Sequence, residues 1–194
     1  KLKTSGTSGW VAENAALSTS DLEFENVAMT PKHAGALTEL SRNMLQQTSP
    51  DIETLIRSDF AQILAEAVDS VAINGGGSNE PEGIIANSDV SATTWDTDYI
   101  TTAADMIAAL DTSNVNASRA FLTTPGIRGD AMKIVTTDGL PVPVGTQFHG
   151  ERIDYSTLVP TDLGGGTDED AILYGDWTDM LIGYWSSFDL LVNP

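Results

Sequence analysis

The sequence predicts an α+β fold, in which helices and strands follow one another without a regular βαβ repeat. Three observations carry this. Apolar residues recur at three- and four-residue spacing through residues 50–73, the mark of one long amphipathic helix. Short apolar runs bounded by turn residues, such as 120–123 and 171–174, read as strands. The helical stretches between these runs differ in length, and the chain contains no internal repeat.

The elements follow in order. Residues 1–30 alternate loosely, with Trp10 and Ala12, then Leu22, Phe24 and Val27, and read as short strands with polar turns. Trp10 is either an ordinary packing residue or a contact to a neighbouring subunit. Residues 32–40 read as a strand, with Ala34, Ala36, Thr38 and Leu40 on one face and Leu37 on the other. Ser41 can cap a short helix over 42–47. Pro50 suits the first turn of the long helix, because its missing N–H costs nothing there. Asp51 and Glu53 complement the positive end of the helix dipole. Ile52, Leu55, Ile56, Phe60, Ile63, Leu64, Ala67, Val68 and Val71 share one face. At 1.5 Å per residue the helix is about 35 Å long. Asn74-Gly75 tolerates the left-handed conformation that ends a helix, and the shaped loop Pro81-Glu82-Gly83-Ile84-Ile85 follows.

Residues 86–97 are rich in Ser, Thr, Asn and Asp and read as a crossing between domains. A helix over 101–110 places Ala103, Met106, Ile107 and Leu110 on one face. Residues 120–123 form a short buried strand. Thr124-Pro125 caps and opens a helix through Ile134, with Ile127, Ala131 and Ile134 inward. Asp138-Gly139 is a turn between the flanks 134–135 and 140–142. Residues 148–160 supply another strand, 163–170 a flexible acidic loop, and 171–174 and 180–192 further strands.

Taken together, these motifs resemble the major capsid proteins of tailed phages, the Hong Kong 97-like family. The resemblance rests on Gly9-Trp10-Val11-Ala12-Glu13, on 20–27, on Thr30-Pro31-Lys32 and on Ser41-Arg42-Asn43-Met44-Leu45. It continues through the long helix, Asn74-Gly75 with Pro81-Glu82-Gly83-Ile84, the stretch 150–160, and Tyr174-Gly175-Asp176-Trp177. It implies a capsid fold with a long spine helix, a peripheral domain and an axial domain. Residues 1–30 would be the end of an extended loop and its return strand. Residues 31–97 would be the peripheral domain, with the spine helix at 50–73. Residues 98–175 would be the axial domain, and 176–194 would be strands returning toward the peripheral domain. Ile56, Phe60, Ile63 and Leu64 would then be buried against the peripheral sheet. The family's chains are longer at both ends, so the resemblance also implies a shortened form or a proteolytic core.

The implied function is that of a structural subunit of a phage or prophage icosahedral capsid. Such subunits self-assemble into hexamers and pentamers around DNA, in the virion, after assembly in the bacterial host cytoplasm. The implied partner is the chain itself, with scaffolding proteins or a maturation protease as further partners. A second reading within the fold is an encapsulin-like nanocompartment shell. Some family members cross-link through Lys and Asn with a Glu assisting; Lys1 and Lys3 would be a stump of the loop that carries the Lys, and no complete set can be matched.

Composition bounds these readings. The 194 residues carry 9 basic and 28 acidic side chains, a net charge of −19. Nucleic-acid surfaces need clustered Lys and Arg, so sequence-specific nucleic-acid binding is not expected, nor is attachment to anionic membranes. No apolar run approaches the ~20 residues that cross a bilayer. There is no cysteine, which excludes disulfides and thiolate zinc sites.

Enzymatic readings are thin. Only His33 and His149 offer an imidazole. A small hydrolase using His149 would draw on Ser156 and Asp154, yet no Gly-x-Ser-x-Gly elbow is present and the three residues lie within one predicted strand. The acidic loop 162–170 lacks the spacing of an EF-hand. Gly75-Gly76-Gly77 follows a helix and lacks the Lys-Ser or Lys-Thr of a phosphate loop. The sequence therefore assigns no catalytic, cofactor-binding or metal-ligating residue, and no enzyme activity.

Overall fold

The computed structural model describes residues 2–13, 16, 19–39, 52–115 and 117–186. The chain divides into two compact units, Lys1–Pro31 and Lys32–Pro194.

In the first unit, β1 (Leu2–Thr4) pairs antiparallel with β2 (Glu23–Phe24). The Thr7 amide donates to Ser20 Oγ at 2.9 Å and draws the two sides of the intervening loop together. Trp10 on that loop is fully exposed, and Phe24 and Leu22 are exposed as well. Among the described residues of 1–30, the expected alternation makes one short ladder.

The second unit begins with an extended stretch. Described residues 32–39 form no strand and are exposed, contrary to the expected strand over 32–40. The reason is in the side chains: Ala34, Gly35 and Ala36 offer little apolar area to anchor a ladder. Lys32 Nζ instead donates to the Ser78 carbonyl at 2.7 Å. The short helix expected at 42–47 lies outside the described residues.

The long helix is present as α1 (Ile52–Asn74). Glu53 sits in its first turn and accepts from Arg57 Nη2 at 2.7 Å, with the acid N-terminal to the base, the better orientation on a helix. Its burial is shallower than expected. Ile52 and Ile73 are buried at the two ends, while Ile56, Phe60 and Leu64 are half-buried. Ile63 is 44% exposed and Leu55 is 64% exposed. The expected burial of Ile63 is therefore not found.

Helix α2 (Tyr99–Thr112) starts two residues before the expected 101–110 span. Asp98 is its N-cap: Oδ1 accepts from the Thr101 amide at 2.7 Å, and that bond holds the carboxyl below the usual range. Strand β3 (Arg119–Thr123) is central in a three-stranded sheet, flanked by β4 (Ile153–Tyr155) and β5 (Ile172–Asp176). Helix α3 (Pro125–Lys133) opens as expected, with Thr124 Oγ1 accepting from the Ile127 amide and Pro125 in the first turn. A short α4 (Val144–Gln147) leads to β4 (Ile153–Tyr155), which pairs parallel with β3. Strand β5 (Ile172–Asp176) pairs antiparallel with β3, and a 3-10 turn (Trp177–Asp179) follows. The architecture among the described residues is a mixed helix-and-sheet fold without a repeated βαβ unit.

Two expected strands are not found as predicted among the described residues. Over 148–160 only Ile153–Tyr155 is extended. Phe148 caps α4 and is buried, and His149 and Gly150 both take positive φ, which bends the chain where a strand would run straight. Over 180–192 the described residues 180–186 form no strand, and the remainder lies outside the described residues.

The period of two along β3 feeds both faces of the sheet. Phe121 faces a core with Ala103, Ile127 and Phe148. Its ring stands edge-on to Phe148 at 5.1 Å and stacks on Tyr174 at 4.1 Å. Leu122 faces the other way, into a second cluster built on Ile73, Val159 and Ala171. That second cluster joins the end of α1 to the sheet.

Candidate assembly surfaces

The join after α1 shows what the Pro-x-Gly-Ile loop does. A helix leaves its last carbonyls without partners. Here the chain folds back and supplies them: the Ile84 amide donates to Ala72, Ile85 to Ile73 and Gly83 to Gly75, at 3.1, 3.0 and 2.9 Å. The Gly75 amide closes the helix on Val71 at 2.8 Å. Glu80 Oε1 accepts from the Gly76 amide at 2.8 Å and pins the loop between. Two glycines permit this approach. A Cβ on Gly75 would lie 2.1 Å from the Pro81 carbonyl, and one on Gly83 would lie 2.4 Å from the Gly75 nitrogen. The C-terminal end of α1 is thereby fixed to the segment that carries Ile85 into the second cluster.

A second surface is a hairpin tip. Asp138-Gly139 forms the expected turn, with Gly139 at φ 79°, the Gly139 amide bonded to Thr136 and the Thr136 amide to Leu140. Val135 and Pro141 bridge across it. Met132, Val135 and Leu140 are large, apolar and exposed there. Its base is firm: buried Gln147 Nε2 donates to the Ala131 and Val142 carbonyls at 2.8 and 3.2 Å. A third apolar surface is the run after the sheet, where Leu181, Ile182, Tyr184 and Trp185 are exposed.

The residues considered for hydrolysis are not assembled as a triad. His149 is exposed and its Nε2 lies 2.9 Å from the Ile100 carbonyl. Asp154 pairs with Arg152 at 2.9 Å, and Ser156 Oγ accepts from the Leu158 amide. Each is spent on a local structural contact. The acidic loop is a closed hairpin, bridged between Leu163 and Glu169, and Asp170 accepts from Thr124 Oγ1 at 3.2 Å. No group of three or more potential metal ligands stands together among the described residues. No helix among them is long and apolar enough to cross a membrane. Lys1 lies outside the described residues.

One cluster had no signal in the sequence. Arg119, 17% exposed, bonds Asp111 at the end of α2 and Glu151 before β4, and its guanidinium lies 5.9 Å from the Tyr174 ring centroid. Burial, and then the nearby Glu151 charge, push the Tyr174 phenol up to about 12 from the ordinary 10.0. The fold favours the neutral phenol, so this contribution is complete below pH 10.0 and is lost as pH rises through about 12. Ultraviolet titration should place the Tyr174 step near that value. Tyr174→Phe should remove it and flatten the alkaline loss of stability.

The profile of the phage capsid family matches residues 1–194. The chain is 27% identical over 202 residues to the major capsid protein of Halomonas phage phiHAP-1, covering all of this chain and 32% of that protein. It is 24% identical over 207 residues to the major capsid protein of Klebsiella oxytoca phage phiKO2, covering 94% of this chain and 46% of that protein. The chain thus spans a third to a half of the length of these relatives. Its fold is similar to the capsid of an empty GTA particle, with a TM-score of 0.69 at 22% identity over 90% of this chain and 65% of that one. The native GTA particle capsid gives a TM-score of 0.64 at 21% identity over 82% and 62%. Matched along its whole length by the family profile, the chain belongs to the phage capsid family.

Proposed function

We propose that this chain is the shell-forming part of a phage or prophage major capsid protein, with no catalytic role, located in the virion capsid after assembly in the host cytoplasm. The observation that carries the proposal is the exposure of large apolar side chains in three separate places: Trp10 with Phe24, the Leu140 tip, and the run from Leu181 to Trp185. Surfaces of this kind are buried when copies of one chain pack together. Residues 1–30 would be the end and return strand of an extended loop, with Trp10 touching a neighbour. Residues 31–97 would form a Hong Kong 97-like peripheral domain with its spine helix. Residues 98–175 would be the axial domain, whose tip at Val135 and Leu140 lies at the capsomer centre. Residues 176–194 would return toward the peripheral domain. The partner is a second copy of the same chain, with scaffolding proteins or a maturation protease as further partners during assembly.

Leu140→Asp tests this reading. Leu140 is 64% exposed, so the substitution should leave folding and melting temperature unchanged while lowering the yield of hexamers and pentamers in the complete protein. Undiminished capsomer yield would remove the tip from the interface.

The enclosed DNA should not be gripped by this domain. Arg119 is committed to Asp111 and Glu151, and Arg128 lies over the Tyr155 ring at 4.9 Å. With nine basic residues against 28 acidic ones, few cations are free to displace DNA counterions. Gel shifts at physiological salt should show negligible duplex binding; a salt-sensitive shift at micromolar protein would contradict this.

A further inference from the structure

The chain contains two glycine-following linkages of the kind that rearrange through a cyclic imide, Asn74-Gly75 and Asp138-Gly139. We infer that the fold reverses their order of lability: it protects Asn74-Gly75 and leaves Asp138-Gly139 as the site of isoaspartate formation. In an unconstrained chain Asn-Gly reacts faster, because an amide is a better acceptor than an ionised carboxylate. The attacking atom in both is the glycine backbone nitrogen.

At Asn74 that nitrogen is occupied and enclosed. The Gly75 amide donates to Val71 at 2.8 Å, within a helix end where the returning loop bonds the carbonyls of Ala72, Ile73 and Gly75. Gly75 is buried, and the Pro81 carbonyl sits where a side chain on it would project. Releasing the nitrogen requires opening the joint and the cluster behind it, including Ile73 and Ile85. At Asp138 the nitrogen has one bond, to Thr136 at 2.9 Å, in an exposed turn. Nothing lies within 4 Å of the position a Gly139 Cβ would take. Loop tips of this kind open locally at low free energy, whereas packed joints open near the global unfolding free energy.

The chemistry balances without a further reactant. The Gly139 nitrogen forms a bond to the Asp138 side-chain carbonyl carbon, and the carboxyl oxygen leaves as water. Water then opens the ring at either carbonyl. Opening at the main-chain carbonyl gives isoaspartate, with the chain routed through Cβ and the mass unchanged. At Asn74 ammonia leaves instead, and the product gains a negative charge. Isoaspartate at 138 would insert a methylene into the backbone of the turn that presents Val135 and Leu140.

The test is ageing of the intact protein at neutral pH and elevated temperature below its melting point, in parallel with protein held in denaturant. Peptide mapping, with enzymatic methylation of isoaspartyl carboxyls as the readout, follows both sites. The folded protein should accumulate isoaspartate at 138 while Asn74 keeps its amide, and the denatured protein should lose the Asn74 amide first. Asp138→Glu, an exposed substitution, should abolish the folded-state signal. Deamidation of Asn74 at equal rates in folded and denatured protein, or a folded protein that ages without isoaspartate at 138, would overturn the inference.

Discussion

Gly83→Ala should destabilise the protein by upwards of about 3 kcal/mol, far more than a single methyl group does on a surface. The added Cβ would lie 2.4 Å from the Gly75 nitrogen, 2.7 Å from the Val71 carbonyl oxygen and 2.8 Å from the Asn74 nitrogen. All three are backbone atoms of the helix end, so no side chain can swing aside to make room. Relief requires the returning segment to lift away. That breaks the bonds from Gly83, Ile84 and Ile85 to the carbonyls of Gly75, Ala72 and Ile73 and leaves those carbonyls unpaired. It also withdraws Ile85 from the second cluster. The distinguishing signature is local. Hydrogen exchange at the Ile84 and Ile85 amides should rise in the variant before exchange in β3 does. Gly77→Ala provides the contrast, since Gly77 has a φ of 76° but only ordinary contacts to Glu82, and its cost should be confined to the exposed loop. A Gly83→Ala protein with wild-type melting temperature and unchanged exchange at Ile84 would refute the role assigned to the joint.

Phe121→Ala should cost about 3–5 kcal/mol, the range for an aromatic residue truncated in a closed core. Phe121 is fully buried on the central strand, and its ring touches Phe148 from one element and Tyr174 from another. The vacated space is bordered by strands β3 and β5, which a backbone ladder ties together, and by Phe148 at the end of α4, so it cannot collapse freely. Chemical denaturation should therefore show a lower midpoint with little change in slope. Leu122→Ala, on the opposite face and half-buried, should cost less. A cost for Phe121→Ala no greater than that for Leu122→Ala would place the main core elsewhere.

The parts of this fold that could be read from sequence are those where one local rule decides. Within the expected span, Ile52–Asn74 forms α1 because many apolar positions keep helical spacing and no breaker intervenes before Asn74-Gly75. Thr124-Pro125 and Asp138-Gly139 act through their own backbone chemistry and appear where expected. The failures involve competition. Residues 32–39 alternate in polarity, but small side chains give a strand nothing to pack with. Residues 148–160 alternate too, yet the bend at His149-Gly150 turns Phe148 into a core residue at the end of a short helix. Ile63 and Leu55 lie on the apolar stripe of α1 and remain exposed, because periodicity tells which residues share a face and not what covers it. The joint was visible as a motif, but its function as a cap depends on amides eight to twelve residues beyond the carbonyls they serve. The Arg119 cluster was invisible because its partners, Asp111 and Glu151, lie 8 and 32 residues away with nothing in the sequence to pair them.

If the proposed function holds, copies of the complete protein build a shell. Electron microscopy combined with light scattering on the complete protein, over a range of salt and protein concentrations and with and without the other particle proteins, tests it most directly. Capsomers of five or six subunits should form, and closed shells on which this domain can be placed. A complete protein that stays strictly monomeric under every one of those conditions would contradict it.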